Sequence, residues 1–197
     1  MDKKTVINLQ RAVGANIDGI IGKDTLKALF IKLGCPKNDV AEALAINANI
    51  QMRAKGIFDN DLRFAHFMAQ CGHESGGFVY MEEIASGAAY EGRKDLGNVV
   101  VGDGKRYKGR GPIQLTGRAN YRRIGLRIGL NLENNPTLVA DPSIGMWCAL
   151  EYWDENKLNK YADVDDTKSL TRRINGGYNG LADRKERLKR IKSLMGI

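Results

Sequence analysis

Ala69-Gln-Cys-Gly-His-Glu-Ser-Gly-Gly-Phe78 ends an apolar-periodic stretch in a carboxylate flanked by glycines. Ahead of it Phe64, Phe67, Met68 and Cys71 recur at three- and four-residue spacing, the period of a helix that buries one face. Gly72, Gly76 and Gly77 then interrupt the pattern, so the spacing predicts a helix that delivers Glu74 to the mouth of a hollow. A glutamate in that position suits a general acid, because partial removal from water favours the protonated carboxyl. The bland alternative is a turn cap, or a partner for one of the many arginines.

A second block tips the balance: Gly104-Lys-Arg-Tyr-Lys-Gly-Arg-Gly-Pro-Ile-Gln-Leu-Thr-Gly-Arg-Ala-Asn-Tyr121. Its glycines, its proline and the alternating Ile113–Thr116 stretch predict a backbone that approaches a ligand closely while presenting polar side chains. Between the two blocks, residues 79–98 are rich in glycine and carry Glu82, Glu83 and Glu91, and so form one wall of a cleft.

The chain has 197 residues, enough for one medium domain or one domain plus a small module. No apolar run is long enough for a membrane span, and no apolar stretch of signal-peptide length follows the opening Met-Asp-Lys-Lys-Thr, so a soluble product of the cytoplasm is expected. Three widely spaced cysteines, Cys35, Cys71 and Cys148, read as reduced and buried. A net charge of +8 implies an acidic partner: nucleic acid, anionic lipid or a wall polymer.

Asn38 is placed as the cap of a helix striped with Val40, Ala41, Leu44, Ala45, Ala48 and Met52, and Asp59 as the cap of the helix leading to Glu74. Arg118, Arg122, Arg123 and Arg127 give a later helix a basic face. Asp141-Pro142 opens the helix of Trp147 and Trp153, which read as core rather than sugar platforms. Asp166 or Thr167 caps the next, and an amphipathic helix closes the chain with Leu181, Leu188, Ile191 and Met195 against Arg184, Lys185, Arg187, Lys189 and Arg190.

His-Glu-Ser-Gly-Gly-Phe at 73–78, Tyr-Lys-Gly-Arg-Gly-Pro-Ile-Gln-Leu-Thr-Gly at 107–117, and Ile-Asn-Gly-Gly at 174–177 followed by Asp183-Arg184 together resemble glycoside hydrolase family 19, the family of plant-type chitinases and phage endolysins. The resemblance implies a mainly α, lysozyme-like α+β fold over residues 38–197: a helical bilobed catalytic domain with a small irregular or hairpin lobe and a deep cleft. It implies inverting hydrolysis with Glu74 as general acid, Glu83 as base and the Thr116 hydroxyl holding the attacking water. Glu83 follows the Gly-Gly-aromatic triplet as in the phage members; Glu91 stays a rival for the base, and Glu82 is the weakest of the three. Gln114, Asn120, Asn175 and Tyr107 are expected to bind sugar or orient the acids, His73 to support the acid, and Arg184 to pair with a catalytic carboxylate.

Residues 1–34, with Leu9-Gln10, Asp18-Gly-Ile-Ile-Gly22 and Thr25-Leu-Lys-Ala-Leu29, resemble a shortened peptidoglycan-binding module. The alternative is a helical hairpin packed on the main domain. Together these resemblances imply a monomeric lysin held in a host cytoplasm, released to the wall by a holin, and cutting peptidoglycan between N-acetylmuramic acid and N-acetylglucosamine. A chitinase is the near alternative. A contact of the basic C-terminal helix with anionic membrane is a further expectation. No cofactor is expected. His73-Glu74 lacks the second histidine of a zinc protease, since Gly77 stands at that position, so no metal is expected. No nucleophile elbow or phosphate loop occurs. A non-catalytic binder of wall or nucleic acid is the remaining class. It gives no reason for Glu74, Glu83 and Thr116 together, and nucleic acid is not the expected partner.

Overall fold

A computed structural model describes residues 1–197. In chain order the helices are α1 (Lys3–Val13), α2 (Lys23–Leu33), α3 (Asn38–Ala54), α4 (Asp61–Glu74), α5 (Asp103–Arg106), α6 (Arg118–Ile128), α7 (Pro142–Glu155), α8 (Asn159–Ala162), α9 (Thr167–Asn175) and α10 (Leu181–Met195). The fold is mainly helical, as expected, and no helix is long and apolar enough to cross a membrane.

Helix α4 is the axis. It is buried without interruption from Phe64 to Gly72, not on one face only, because α10 packs along it while the core closes over its other sides. Phe67 meets Trp153 of α7 edge-on, ring centres 5.3 Å apart, so Trp153 belongs to the core. A fully buried aromatic of this kind contributes roughly 1.5–3 kcal/mol. The Asp59 cap is corrected to Asn60, whose side chain accepts the Leu62 N–H at 2.8 Å. Asn38 is the first residue of α3 rather than its cap; Lys37 holds the cap position, without a side-chain cap bond. Asp141 and Asp166 cap α7 and α9 through their carboxylates.

Gly72 does not break α4; the helix runs on to Glu74. Its stop comes next, where Gly76, Gly77 and Phe78 all take positive φ, at 61°, 80° and 66°. A left-handed phenylalanine is unusual. Here the Phe78 ring is fully buried against Phe30 of α2, 4.8 Å between centres, and that packing holds the backbone in place.

Residues 1–34 share this core. Val6, Leu9, Leu26, Leu29, Phe30 and Leu33 join the same apolar cluster as Phe64 and Leu150. The Thr5 hydroxyl donates to Asp61 at 2.8 Å, and a Cβ on Gly77 would meet the Leu33 carbonyl at 2.9 Å. The packing runs without a gap across residue 34.

Residues 79–117 form the irregular lobe. Glu83 N–H donates to Gly109 O at 2.9 Å, Gly111 N–H to Met81 O at 2.8 Å, and Leu115 N–H to Arg110 O at 2.8 Å. The alternating Ile113–Thr116 stretch is a turn rather than a strand: its pairing stops at isolated bridges, and Gln114 sits at φ 53°.

The basic face of α6 is not free charge. Arg118 pairs with Asp103 and Glu133, Arg122 with Glu133, Arg123 with Glu155 and Arg127 with Glu151. On α10 the apolar stripe of Leu188, Ile191 and Met195 is buried as predicted, but Arg184 lies on the inner side and not on the solvated face.

Candidate active site

Where α4 stops, a cavity of about 240 Å³ opens between the helices and the irregular lobe. Glu74, Tyr152 of α7 and Ile174–Asn175 of α9 form the helical side. Tyr90, Leu96 and the Ile113–Thr116 turn form the other, with Asn120 from the first turn of α6. Wider hollows lie behind α6 and along α10, at about 390 and 530 Å³, but neither is lined by a residue of the three motifs.

Glu74 is fixed from beneath. Arg184, 1% exposed, donates one guanidinium nitrogen to Glu74 Oε1 and another to Gln70 Oε1, one turn earlier on α4. The second carboxylate oxygen of Glu74 has no protein partner. The expected pairing of Arg184 with Glu74 is therefore present in the geometry, and Gln70 is a partner that sequence reasoning missed. Its only signal is an i, i+4 relation to Glu74 on a helix whose periodicity predicts burial on one face.

Glu83 is held on both oxygens. The Tyr90 hydroxyl donates to Oε1 at 3.0 Å, and the Gly109 N–H donates to Oε2 at 3.0 Å. Donors on both sides leave the carboxylate as an acceptor fixed in direction, the form in which it can take a proton from water. Burial first, then the hydrogen bond and charge of Glu83, and further the charge of Glu74, push the Tyr90 phenol above its usual range. Nothing in the sequence marks Tyr90, one of two tyrosines in a glycine-rich segment.

Its neighbours are occupied elsewhere. Glu82 pairs with Lys108 and Arg110; partial burial pushes its carboxyl up, and those two cations outweigh it and hold it below the usual range. Glu91 accepts the N–H groups of Gly102 at 2.7 Å and Gly104 at 2.8 Å. Neither Glu83 nor Glu91 lines the cavity itself, but Glu83 is tied to a lining residue through the Tyr90 hydroxyl.

Gln114 and Thr116 stand together on the irregular side. Gln114 donates to Gly111 O at 3.1 Å and Tyr80 O at 3.3 Å, which leaves its carbonyl oxygen for a ligand. The Thr116 hydroxyl donates to Gln114 O at 2.8 Å, so its lone pairs are open to accept from water. Gly109 lies between Gln114 and Glu83: a Cβ there would stand 2.7 Å from Gln114 Oε1 and 3.3 Å from Glu83 Oε2. Asn120 donates to Thr116 O at 2.7 Å, and Asn175 ends α9 at the cavity wall.

Tyr107 and His73 also lie off the cavity. Tyr107 is corrected from sugar contact to core: it is fully buried, packs against Tyr121 at 5.5 Å, and donates its hydroxyl to Glu133 O at 2.9 Å. His73 turns to α10, with Nδ1 2.6 Å from Asp183 Oδ2, and is not part of the cavity lining. Burial pushes the Cys71 thiol, one turn from Glu74, well above its usual range, which removes it as a nucleophile. All three cysteines are free and buried.

The sequence model described as chitinase class I, that of glycoside hydrolase family 19, matches residues 60–168. A glycosyl hydrolase family 19 domain-containing protein of Haemophilus influenzae is 31% identical over 182 residues, covering 77% of this chain and 86% of that one. An Arabidopsis thaliana endochitinase is 40% identical over 114 residues, covering 57% of this chain but 39% of its own length. Among solved structures, chitinase C from Streptomyces griseus superposes with a TM-score of 0.67 at 25% identity, covering 86% of this chain and 91% of that one. A class IV chitinase from Zea mays gives 0.62 at 25% identity, covering 87% and 92%. With Glu74, Gln114, Thr116 and Asn175 from three separate motifs at one cavity and these matches over most of its length, the chain belongs to glycoside hydrolase family 19.

Proposed function

We propose that this glycoside hydrolase is a phage-type endolysin that cuts the β-1,4 bond between N-acetylmuramic acid and N-acetylglucosamine of peptidoglycan by inversion. The observation that carries the chemistry is the pair of differently held carboxylates: Glu74 with one oxygen on Arg184 and one without a protein partner, Glu83 with a donor on each oxygen. In this reading the free oxygen of Glu74 gives a proton to the departing glycosidic oxygen. Glu83 takes the proton of a water that also donates to Thr116 and attacks the anomeric carbon from the opposite face. Such a geometry leaves the carboxyls about 6.5–9.5 Å apart to admit the water. Gln114, Asn120 and Asn175 present amide groups suited to N-acetyl and hydroxyl groups of the sugars.

The wall substrate is supported by the N-terminal likeness to a peptidoglycan-binding module. Within the proposal, residues 1–34 hold glycan strands while residues 38–197 cut them, the chain acts as a monomer, and a holin gives it access to the wall. Contact of α10 with anionic membrane rests on Lys185 and Lys189, since Arg187 is paired with Asp183, Lys192 with Asp165, and Arg190 with Lys32 O. A second reading, chitin hydrolysis, is favoured by a different observation: relatives at about 40% identity are endochitinases.

Parallel digestion of purified peptidoglycan and of chitin oligomers, with identification of the new reducing ends, separates the two. New muramic acid ends support the endolysin. Release of N-acetylglucosamine ends from chitin alone overturns it in favour of the chitinase.

A further inference from the structure

Residues 98–104 make a loop that is pinned from within and apolar outside. The buried Asp103 carboxylate accepts the N–H groups of Val99 at 3.1 Å and Val100 at 3.0 Å, and is itself held by Arg118 at 2.5 Å. Glu91 accepts from Gly102 and Gly104 on the far side of the turn. Asn98, fully buried, donates to Tyr90 O at 2.9 Å and accepts from Arg118 N at 2.9 Å. Yet Val99, Val100 and Val101 are 69%, 54% and 97% exposed. Single exposed aliphatics are ordinary, but three in succession on a fixed protruding turn bury nothing that folding requires.

The charge beside this tip has one sign. Asp103 and Glu91 are engaged by the loop itself, and Asp95 is paired with Arg93. Lys94 and Lys105 are exposed and make no ion pair, so the free charge there is positive. A protruding aliphatic tip offers no groove to a peptide and no aromatic face to a sugar, but aliphatic insertion beside free lysines is what an anionic lipid surface takes. We propose that Val99–Val101 insert into the interface of an anionic bilayer while Lys94 and Lys105 meet its headgroups. The pinned backbone means that little conformational freedom is lost on insertion. Leu96, two residues before Asn98, lines the catalytic cavity, so docking by the tip sets the irregular wall of the active site close to the membrane plane. This holds whichever glycan is cut.

Flotation of the full chain with vesicles of phosphatidylglycerol and phosphatidylcholine in equal parts, and with phosphatidylcholine alone, tests the assignment. The wild type should float with the anionic vesicles only. The combined Val99→Ser, Val100→Ser and Val101→Ser variant should bind them about tenfold less or weaker, and Lys94→Ser with Lys105→Ser should lose the same preference, while both cut soluble glycan oligomers at the wild-type rate. Absence of wild-type flotation, equal binding to neutral vesicles, or wild-type flotation by the triple serine variant would each overturn the proposal. A second readout uses Val101→Cys carrying a polarity-sensitive fluorophore, feasible because the native cysteines are buried. A blue shift on adding anionic vesicles supports insertion, and an unchanged spectrum contradicts it.

Discussion

Arg184 reaches Glu74 from 110 residues further along the chain, as a buried guanidinium whose second nitrogen is taken by Gln70. The planar fork serves two acceptors at once, which an ammonium on a flexible stem does not reproduce. Arg184→Lys should therefore fold but lose about tenfold or more in kcat, with a smaller change in KM, as one of the two acceptors goes unserved. Arg184→Ala should also destabilise the protein, by about 3–5 kcal/mol, because it strips a partly buried carboxylate of its partner. Steady-state kinetics and urea unfolding of the two variants check both statements.

Tyr90 directs Glu83. Removing its hydroxyl in Tyr90→Phe leaves Glu83 with the Gly109 N–H alone and the carboxylate free to rotate. The expected outcome is a fall in kcat of about tenfold with KM changed much less, since the ring still lines the cavity. A variant with wild-type kcat would remove Tyr90 from the mechanism.

Gly109 tests how tightly the base and Gln114 are spaced. Its φ is not in the left-handed region, so alanine is acceptable to the backbone. The added methyl group instead meets Gln114 and Glu83. Gly109→Ala should keep stability within about 1 kcal/mol and lose on the order of a hundredfold in kcat/KM, measurable by unfolding and kinetics on the same preparation.

Acid should destabilise the fold through Glu133, whose carboxylate pairs with Arg118 and Arg122 of α6. The guanidinium groups of Arg122 and then Arg118, outweighing partial burial, lower its carboxyl from 4.5 to about 2. A carboxylate whose pKa falls on folding contributes stability above its unfolded value, and that contribution is lost as the pH drops through the folded value. The urea midpoint should thus decline between about pH 4.5 and about 2. In Glu133→Gln it should start lower and decline less steeply. An identical pH dependence in both proteins would show that the cluster is not involved.

Periodicity and turn chemistry placed the helices well, including the caps at Asp141 and Asp166, because those signals are local. They erred at neighbouring positions: Asn60 rather than Asp59 caps α4, and Gly72 stays helical within a buried run that ends only at Glu74. The cavity lining at Glu74, Gln114, Thr116, Asn120 and Asn175 was legible from motifs. The separation of Glu83 from Glu91 was not, since it depends on which backbone N–H groups fold onto each carboxylate. Tyr107 misled because a tyrosine in a polar motif carries no mark of burial. The arginines of α6 misled because Glu133, Glu151 and Glu155 approach them only in the folded chain.

The two-carboxylate account is tested most directly by the initial rate of glycan hydrolysis by Glu74→Gln, Glu83→Gln and Glu91→Gln, each verified as folded. Removing either proton-transferring group should lower the rate by about two orders of magnitude or more, while Glu91→Gln, which perturbs only the loop at Gly102 and Gly104, should retain most of it. An active Glu83→Gln beside an inactive, folded Glu91→Gln would contradict the assignment of the base.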